Sequence, residues 1–99
     1  MKLNRDFIKN KIAWWEMVLR VWDRCDVQPE DSASAAACKL FIRTQNTKNL
    51  RTDLVRHGYK IRYDVKISDL ITKNEIDDKE ILRVARELFK ANKEHEGFR

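Results

Sequence analysis

One segment of this chain shows the alternation of a half-buried β-strand. From Tyr59 to Ile67 the sequence reads YKIRYDVKI, with an apolar or aromatic residue at every second position. Successive side chains of a strand point to opposite faces, so the pattern predicts a strand at about 59–67 with one buried and one charged face. An isolated strand leaves its backbone unpaired, and no other segment alternates in this way. We therefore predict pairing with a second chain in a homodimer. The apolar positions would form that interface: Tyr59, Ile61, Tyr63, Val65 and Ile67.

The composition favours helices elsewhere. The 99 residues include only two glycines and one proline, too few to punctuate a strand-rich fold. A chain of this length fits one domain with a modest core. The sequence therefore predicts a mainly α fold, with four to five helices and one amphipathic strand in a single compact helical domain over residues 1–99.

The first predicted helix, from Asn4 to about Arg24, is apolar over a wide arc. Two rows with helical spacing share this arc: Ile8, Ile12, Trp15, Leu19 and Trp22 in one, and Phe7, Trp14, Val18, Val21 and Cys25 in the other. A helix that covers one side of a core needs a stripe of only about 100°. We predict that this helix packs on both flanks, within the monomer or across a dimer interface, with Trp14 and Trp22 at the interface and Trp15 packed.

Capping residues indicate where the other helices begin. A second helix is predicted to begin near Pro29, because proline suits a first helical position. A short third helix ends at Gly58, and a helical turn follows at 68–73. The last helix is predicted to begin after Asp77, where Ile76 and Ile81 have the spacing of a hydrophobic staple.

Positive charge is concentrated in the middle of the chain. The net charge is +5, and the segment from Lys39 to Lys66 alone carries eight basic and two acidic residues. Such a segment predicts an anionic partner, for which we expect nucleic acid, DNA rather than RNA. Predicted phosphate contacts are Lys48, Arg51, Arg56, Lys60, Arg62 and Lys66. Predicted contacts to bases or backbone are Gln45, Asn46, Asn49 and Thr52.

The order of the predicted elements resembles two DNA-binding architectures. A helix, a polar turn, a short basic helix and a strand follow one another as they do around the recognition helix of winged helix-turn-helix proteins. A strand followed by two helices is similar to the ribbon-helix-helix arrangement, in which two chains pair one strand each. The resemblance is limited to element order, since the turn lacks the usual glycine and 58 residues precede Tyr59.

The sequence carries no enzyme motif. Two glycines cannot form a phosphate-binding loop or a dinucleotide fingerprint. His57 and His95 have no catalytic context, and Cys25 and Cys38 lack the close spacing of zinc ligands. We therefore predict no enzyme activity, no cofactor and no metal. Charged residues occupy the place of a signal peptide's apolar region, and no apolar run approaches the roughly 20 residues of a membrane span. A cytoplasmic protein without a membrane partner is predicted.

Two functions fit these observations. The first is a small dimeric nucleic-acid-binding protein, such as a DNA-binding regulator of transcription or an accessory factor, which uses a basic helix-strand surface. The alternative is a protein-protein interaction module, an adaptor or inhibitor, which docks through a strand edge or through the apolar face of helix 1. Salt dependence separates them, since binding by a basic patch weakens steeply with salt.

Overall fold

Five α-helices make up the fold in this computed structural model, which describes residues 4–94. They are α1 (Arg5–Trp22), α2 (Ala33–Thr44), α3 (Leu50–Arg56), α4 (Ile67–Thr72) and α5 (Lys79–Glu94). The prediction of a compact, mainly helical fold is confirmed. The predicted strand is wrong, since residues 4–94 contain none.

The central helix is α2, which contacts each of the other four helices. Its first half presents the small buried residues Ala36, Ala37 and Cys38, which let neighbouring helices approach closely. Phe41 and Ile42 then fill the middle of the core, and both are fully buried. The ring of Phe41 meets that of Phe89 edge to face, with centroids 5.9 Å apart, and this contact ties α2 to α5.

Only one flank of α1 packs against the rest of the chain. The helix begins as predicted, because the Asn4 side chain accepts a hydrogen bond from the Phe7 N–H (2.8 Å). Val18 and Val21 are buried against α2 and α5, and Trp14 and Trp22 pack partly against the same core. Trp15 was predicted to pack but is 55% exposed. The row that contains Ile8, Ile12, Trp15 and Leu19 is therefore uncovered within the described part of the chain.

Two helices begin later than predicted because a nearby residue makes the better cap. For α2, the Ser32 hydroxyl accepts a hydrogen bond from the Ala35 N–H (3.1 Å), while residues 28–31 form a turn. For α5, Asp78 rather than Asp77 accepts from the Ile81 N–H (3.1 Å). Asp78 also pairs with Arg24 at 3.0 Å, which places this cap beside the end of α1.

The segment predicted as a strand belongs to a loop of residues 57–66 between α3 and α4 (the 57–66 loop). Gly58 turns the chain out of α3 with a φ of 95°, a conformation that favours glycine. The Tyr59 N–H then donates to the Leu54 carbonyl (3.1 Å), and the Val65 N–H donates to the Arg62 carbonyl (3.0 Å). Backbone groups of the loop thus find partners within their own chain. The unpaired strand, which was the reason to predict pairing with a second chain, does not exist, and neither DNA-binding resemblance is retained.

Stability should fall on acidification because of the cluster in which Arg24 contacts Asp78 and Glu80. The guanidinium hydrogen bonds hold the pKa of each carboxyl below its usual range. A lowered pKa in the folded state gives stability that is complete above the unfolded pKa, near 4, and is lost as the pH falls through the folded pKa. We expect Tm to drop below about pH 4, and to drop less steeply in Arg24→Ala. Thermal melts of both proteins across this range measure the difference; equal slopes would contradict it.

Candidate nucleic-acid interface

Arg51 on α3 fixes the position of the 57–66 loop. Its guanidinium donates one hydrogen bond to the Arg62 carbonyl (2.8 Å) and another to the Val65 carbonyl. A planar guanidinium with several N–H groups can bridge two carbonyls in this way. Arg51 was predicted to contact phosphate. In the structure its side chain binds two carbonyls of the loop and holds the loop against α3.

Two further basic residues of the 39–66 segment hold the fold together. Lys39 forms a largely buried ion pair with Asp31 (2.7 Å). Arg43 donates to the Trp22 carbonyl (2.7 Å), contacts Asp26 (3.1 Å) and stacks over the Trp22 ring. These contacts fasten α2 to the connection from α1. The charges of Lys39 and Arg43 are therefore already paired with acids, and the net charge of the segment does not reveal this.

Five cations of the segment remain on the surface, and we call them the basic surface: Lys48, Arg56, Lys60, Arg62 and Lys66. The three lysine side chains make no ion pair with any residue in the described range 4–94. Arg62 pairs with exposed Asp64 (3.0 Å), and Arg56 lies 4.0 Å from Asp53. Because Arg51 joins the loop to α3, these cations lie on adjoining parts of the molecule. The basic surface therefore presents more positive than negative charge to solvent.

Tyr63 at the tip of the 57–66 loop is 95% exposed. Its neighbours in the predicted interface behave differently, since Tyr59 donates its hydroxyl to the Asp31 carbonyl (2.7 Å). The partly buried members of that set are Tyr59, Ile61, Val65 and Ile67. Their apolar surface is covered by the protein's own core. Tyr63 alone among them offers an exposed aromatic ring, and it lies between Arg62 and Asp64, which pair with each other.

The four uncharged polar residues of the predicted site divide into two pairs. Gln45 ends α2 in a left-handed conformation, and the Asn46 side chain accepts from the Lys48 N–H (2.8 Å). Both serve the turn between α2 and α3. Asn49, which precedes α3, makes no side-chain capping bond, and Thr52 is exposed on that helix. Asn49 and Thr52 are thus the two available for a ligand.

A second row of basic residues lies along α5, outside the predicted site. Four cations recur at steps of four and three residues, which places them on one side of a helix. They are Lys79, Arg83, Arg86 and Lys90. Together with Leu82 and Glu87 they line a shallow, open depression. Arg86 is engaged with the Ile71 and Asn74 carbonyls, whereas Arg83 and Lys90 are exposed. The spacing of these four cations is present in the sequence, but the predicted site was based only on the charge excess of the 39–66 segment.

Among the described residues, the two cysteines and His57 do not assemble into a site. Cys25 and Cys38 are buried, and burial raises the pKa of the Cys38 thiol to about 12 and that of Cys25 above its usual value. His57 is exposed after α3, and His95 lies outside the described residues. Within 4–94, His, Cys, Asp and Glu side chains form no group of three that could hold a metal ion. Among the described helices, none combines the length and apolarity needed to cross a membrane.

Comparisons with known proteins add no family to these observations. We compared the chain with protein-family models, with curated proteins and with solved structures. None of the three comparisons finds a match.

Proposed function

We propose that this protein binds nucleic acid through the basic surface, with Tyr63 stacking on a base. The observation that carries the proposal is the 95% exposure of Tyr63 on a loop that carries three exposed cations, Lys60, Arg62 and Lys66, and one exposed acid, Asp64. Aromatic side chains within a positively charged surface are the usual means of binding unpaired nucleic acid, because every base has a face to stack on. A role as a regulator or accessory factor remains a prediction.

The anchoring of the loop supports this assignment. Arg51 holds the backbone at Arg62 and Val65, on both sides of Tyr63. A ring and cations held in place lose less conformational freedom on binding than they would on an unattached loop. The lysines also have no acidic partner in residues 4–94 to displace before they contact phosphate. Cation placement and ring exposure thus favour the same ligand.

The test is a salt titration with Lys60→Ala. If Lys60 neutralises one phosphate, the variant should bind every sequence more weakly and lower the slope of log K against log salt by about 0.7 for single strands or 0.9 for duplex. Fluorescence anisotropy with DNA and RNA oligonucleotides, single- and double-stranded, measures both effects. The matched control is Lys73→Ala, which removes one exposed charge outside the basic surface and the α5 row.

Two outcomes would overturn the proposal. One is the absence of DNA and RNA binding at low salt by a protein that circular dichroism shows to be folded. The other is an equal loss of slope in Lys60→Ala and Lys73→Ala, which would reduce binding to the overall charge of +5.

A second function, as a protein-protein interaction module, is favoured by the uncovered apolar row of α1. Ile12, Trp15 and Leu19 are each more than half exposed on this helix. Exposed apolar patches of this kind on a small protein commonly mark a protein contact. Docking through a strand edge is no longer proposed, because the 57–66 segment is a loop. Binding through the α1 row should depend little on salt, in contrast to binding through the basic surface.

A further inference from the structure

The uncovered face of α1 consists of Ile8, Ile12, Trp15 and Leu19, which we call the α1 stripe. Their exposed fractions are 49%, 53%, 55% and 71%. With 3.6 residues per turn, the four positions fall within about 60° around the helix axis and extend about 17 Å along it. Half-exposed side chains of this size add up to several hundred Å², of the order of the largest patches on monomers. The α1 stripe is therefore a continuous apolar surface, not a scatter of single residues.

The α1 stripe faces a different direction from the core. Val18 and Val21, the buried residues of α1, lie roughly 90–150° around the helix from the centre of the stripe. Trp14 and Trp22 pack partly against the core beside them. A second helix can thus cover the stripe without displacing any core residue of this chain.

Four charged residues follow one edge of the α1 stripe. Arg5 and Lys9 lie at its N-terminal end, and Glu16 and Asp23 lie at its C-terminal end. All four are exposed, and none makes an ion pair with another residue in the described range. Arg20 also lies near the C-terminal end, but it pairs with Glu80 on α5 (3.2 Å). The remaining charges along the edge are therefore positive at one end and negative at the other. Such a surface is complementary to a copy of itself in the opposite direction.

The residue spacing sets the register of that pairing. In an antiparallel pair of identical helices, a twofold axis brings the same edge of both helices together, and facing residues have numbers with a constant sum. Pairing Ile8 with Leu19 and Ile12 with Trp15 gives 27 in both cases. Lys9 with Glu16 gives 25, and Arg5 with Asp23 gives 28. The apolar pairs and the charged pairs thus predict the same register to within about two residues, or 3 Å along the helix axis.

We propose that the α1 stripe binds the α1 stripe of a second copy of this chain, in antiparallel orientation. The inference rests on the second proposed function, that the stripe is a docking surface, and names its occupant. Two such stripes bury an area near the lower end of specific interfaces, which begins at about 1,200 Å² in total. We therefore expect a dimer with a dissociation constant in the micromolar range.

The first test is sedimentation equilibrium of the full chain across the micromolar range. Leu19→Gln should weaken dimerisation more than tenfold, because it places a polar amide against Ile8 of the second copy at both ends of the symmetric contact. Leu19 is largely exposed, so the variant should keep its fold, which circular dichroism checks. Val55→Gln is the matched control, since Val55 is 54% exposed on α3 and lies outside the stripe. It should leave the association unchanged.

Charge reversal tests the orientation. Lys9→Glu alone and Glu16→Lys alone should each weaken dimerisation about fivefold, because each places like charges opposite one another twice in the symmetric dimer. The double variant Lys9→Glu with Glu16→Lys should recover most of the loss, because the pair is restored with its signs exchanged. Additive losses in the double variant would overturn the antiparallel register.

Crosslinking provides a measurement that does not depend on dimer strength. Ile8→Cys and Leu19→Cys variants, mixed in equal amounts, should yield an 8-to-19 crosslink with a short bismaleimide, while each variant alone should yield little. Parallel pairing predicts the reverse, and would overturn the proposal. Native Cys25 and Cys38 are buried, and the unsubstituted chain controls for them.

A chain that remains monomeric and uncrosslinked would also overturn the second copy as occupant. The proposal that the stripe docks on another protein is a separate matter. It would fail as well if Leu19→Gln and Val55→Gln bound other proteins equally well.

Discussion

Phe41→Ala is expected to destabilise the fold by about 3–5 kcal/mol, the range for removing a buried phenylalanine from a packed core. Phe41 is fully buried on the central helix and contacts the ring of Phe89. The loss would take much of the 5–15 kcal/mol of stability typical of small domains. Denaturant unfolding followed by circular dichroism measures it as a shift of the midpoint.

Trp15→Ala is the control for this prediction. Trp15 is the larger residue, but more than half of it is exposed in the α1 stripe. Its replacement should change the free energy of unfolding by less than about 1 kcal/mol in dilute protein, because little packed volume is lost. A larger loss for Trp15→Ala than for Phe41→Ala would mean that the core has been assigned to the wrong row of α1.

Tyr63→Ala is expected to weaken binding of single-stranded nucleic acid by about 1–3 kcal/mol, or roughly 5- to 150-fold, because it removes one stacked base. Since Tyr63 is 95% exposed, Tm should hardly move. Affinity for single-stranded oligonucleotides at fixed salt is the measurement.

The control for stacking is Tyr63→Phe, which keeps the ring and removes only the hydroxyl. It should bind nearly as well as the original protein. Equal losses for Ala and Phe would indicate a hydrogen bond from the hydroxyl rather than a stacked ring. No loss in either variant would remove Tyr63 from the interface.

Helix positions were predictable because their signals are local. Asn4 supplies the cap of α1, and Gly58 stands where α3 must turn. Predictions failed by a few residues where two caps compete, as at Asp77 and Asp78. Of these two acids, only Asp78 accepts hydrogen bonds from Arg24, a residue distant in sequence. Local chemistry thus predicts a helix, while tertiary contacts select its first residue.

The alternation at 59–67 predicted the partial burial of four apolar residues, but it failed for Tyr63 and did not reveal the hydrogen-bond partners of the backbone. Tyr59, Ile61 and Val65 do pack towards the core. A period of two describes any extended segment that lies on an apolar surface, whether or not another strand lies beside it. The carbonyl partner is the side chain of Arg51, and no pattern in the sequence distinguishes such an arginine from one that awaits a phosphate.

The two apolar rows of α1 were equally good candidates for the core. Both have helical spacing and large side chains, and the sequence predicted only that one helix carries more apolar surface than a single flank needs. Burial of Val18 and Val21 resolves the choice. The sequence likewise could not show which cations of the 39–66 segment are available to a ligand, because net charge counts all of them alike. Lys39 and Arg43 are paired with acids, whereas Lys48 and Lys60 make no ion pair among the described residues.

The hydrogen bonds of Arg51 to the tip of the 57–66 loop separate local from global stability. The central helix α2 contacts every other helix, so its hydrogen bonds should open only when the whole domain unfolds. The tip of the loop around Tyr63, in contrast, can open when Arg51 releases the Arg62 and Val65 carbonyls, while Tyr59 and Ile61 stay packed against the core. Ligand affinity and domain stability can therefore change independently through mutation. Substitutions at Arg51 alter how often the loop is in place, while substitutions around Phe41 alter how often the protein is folded.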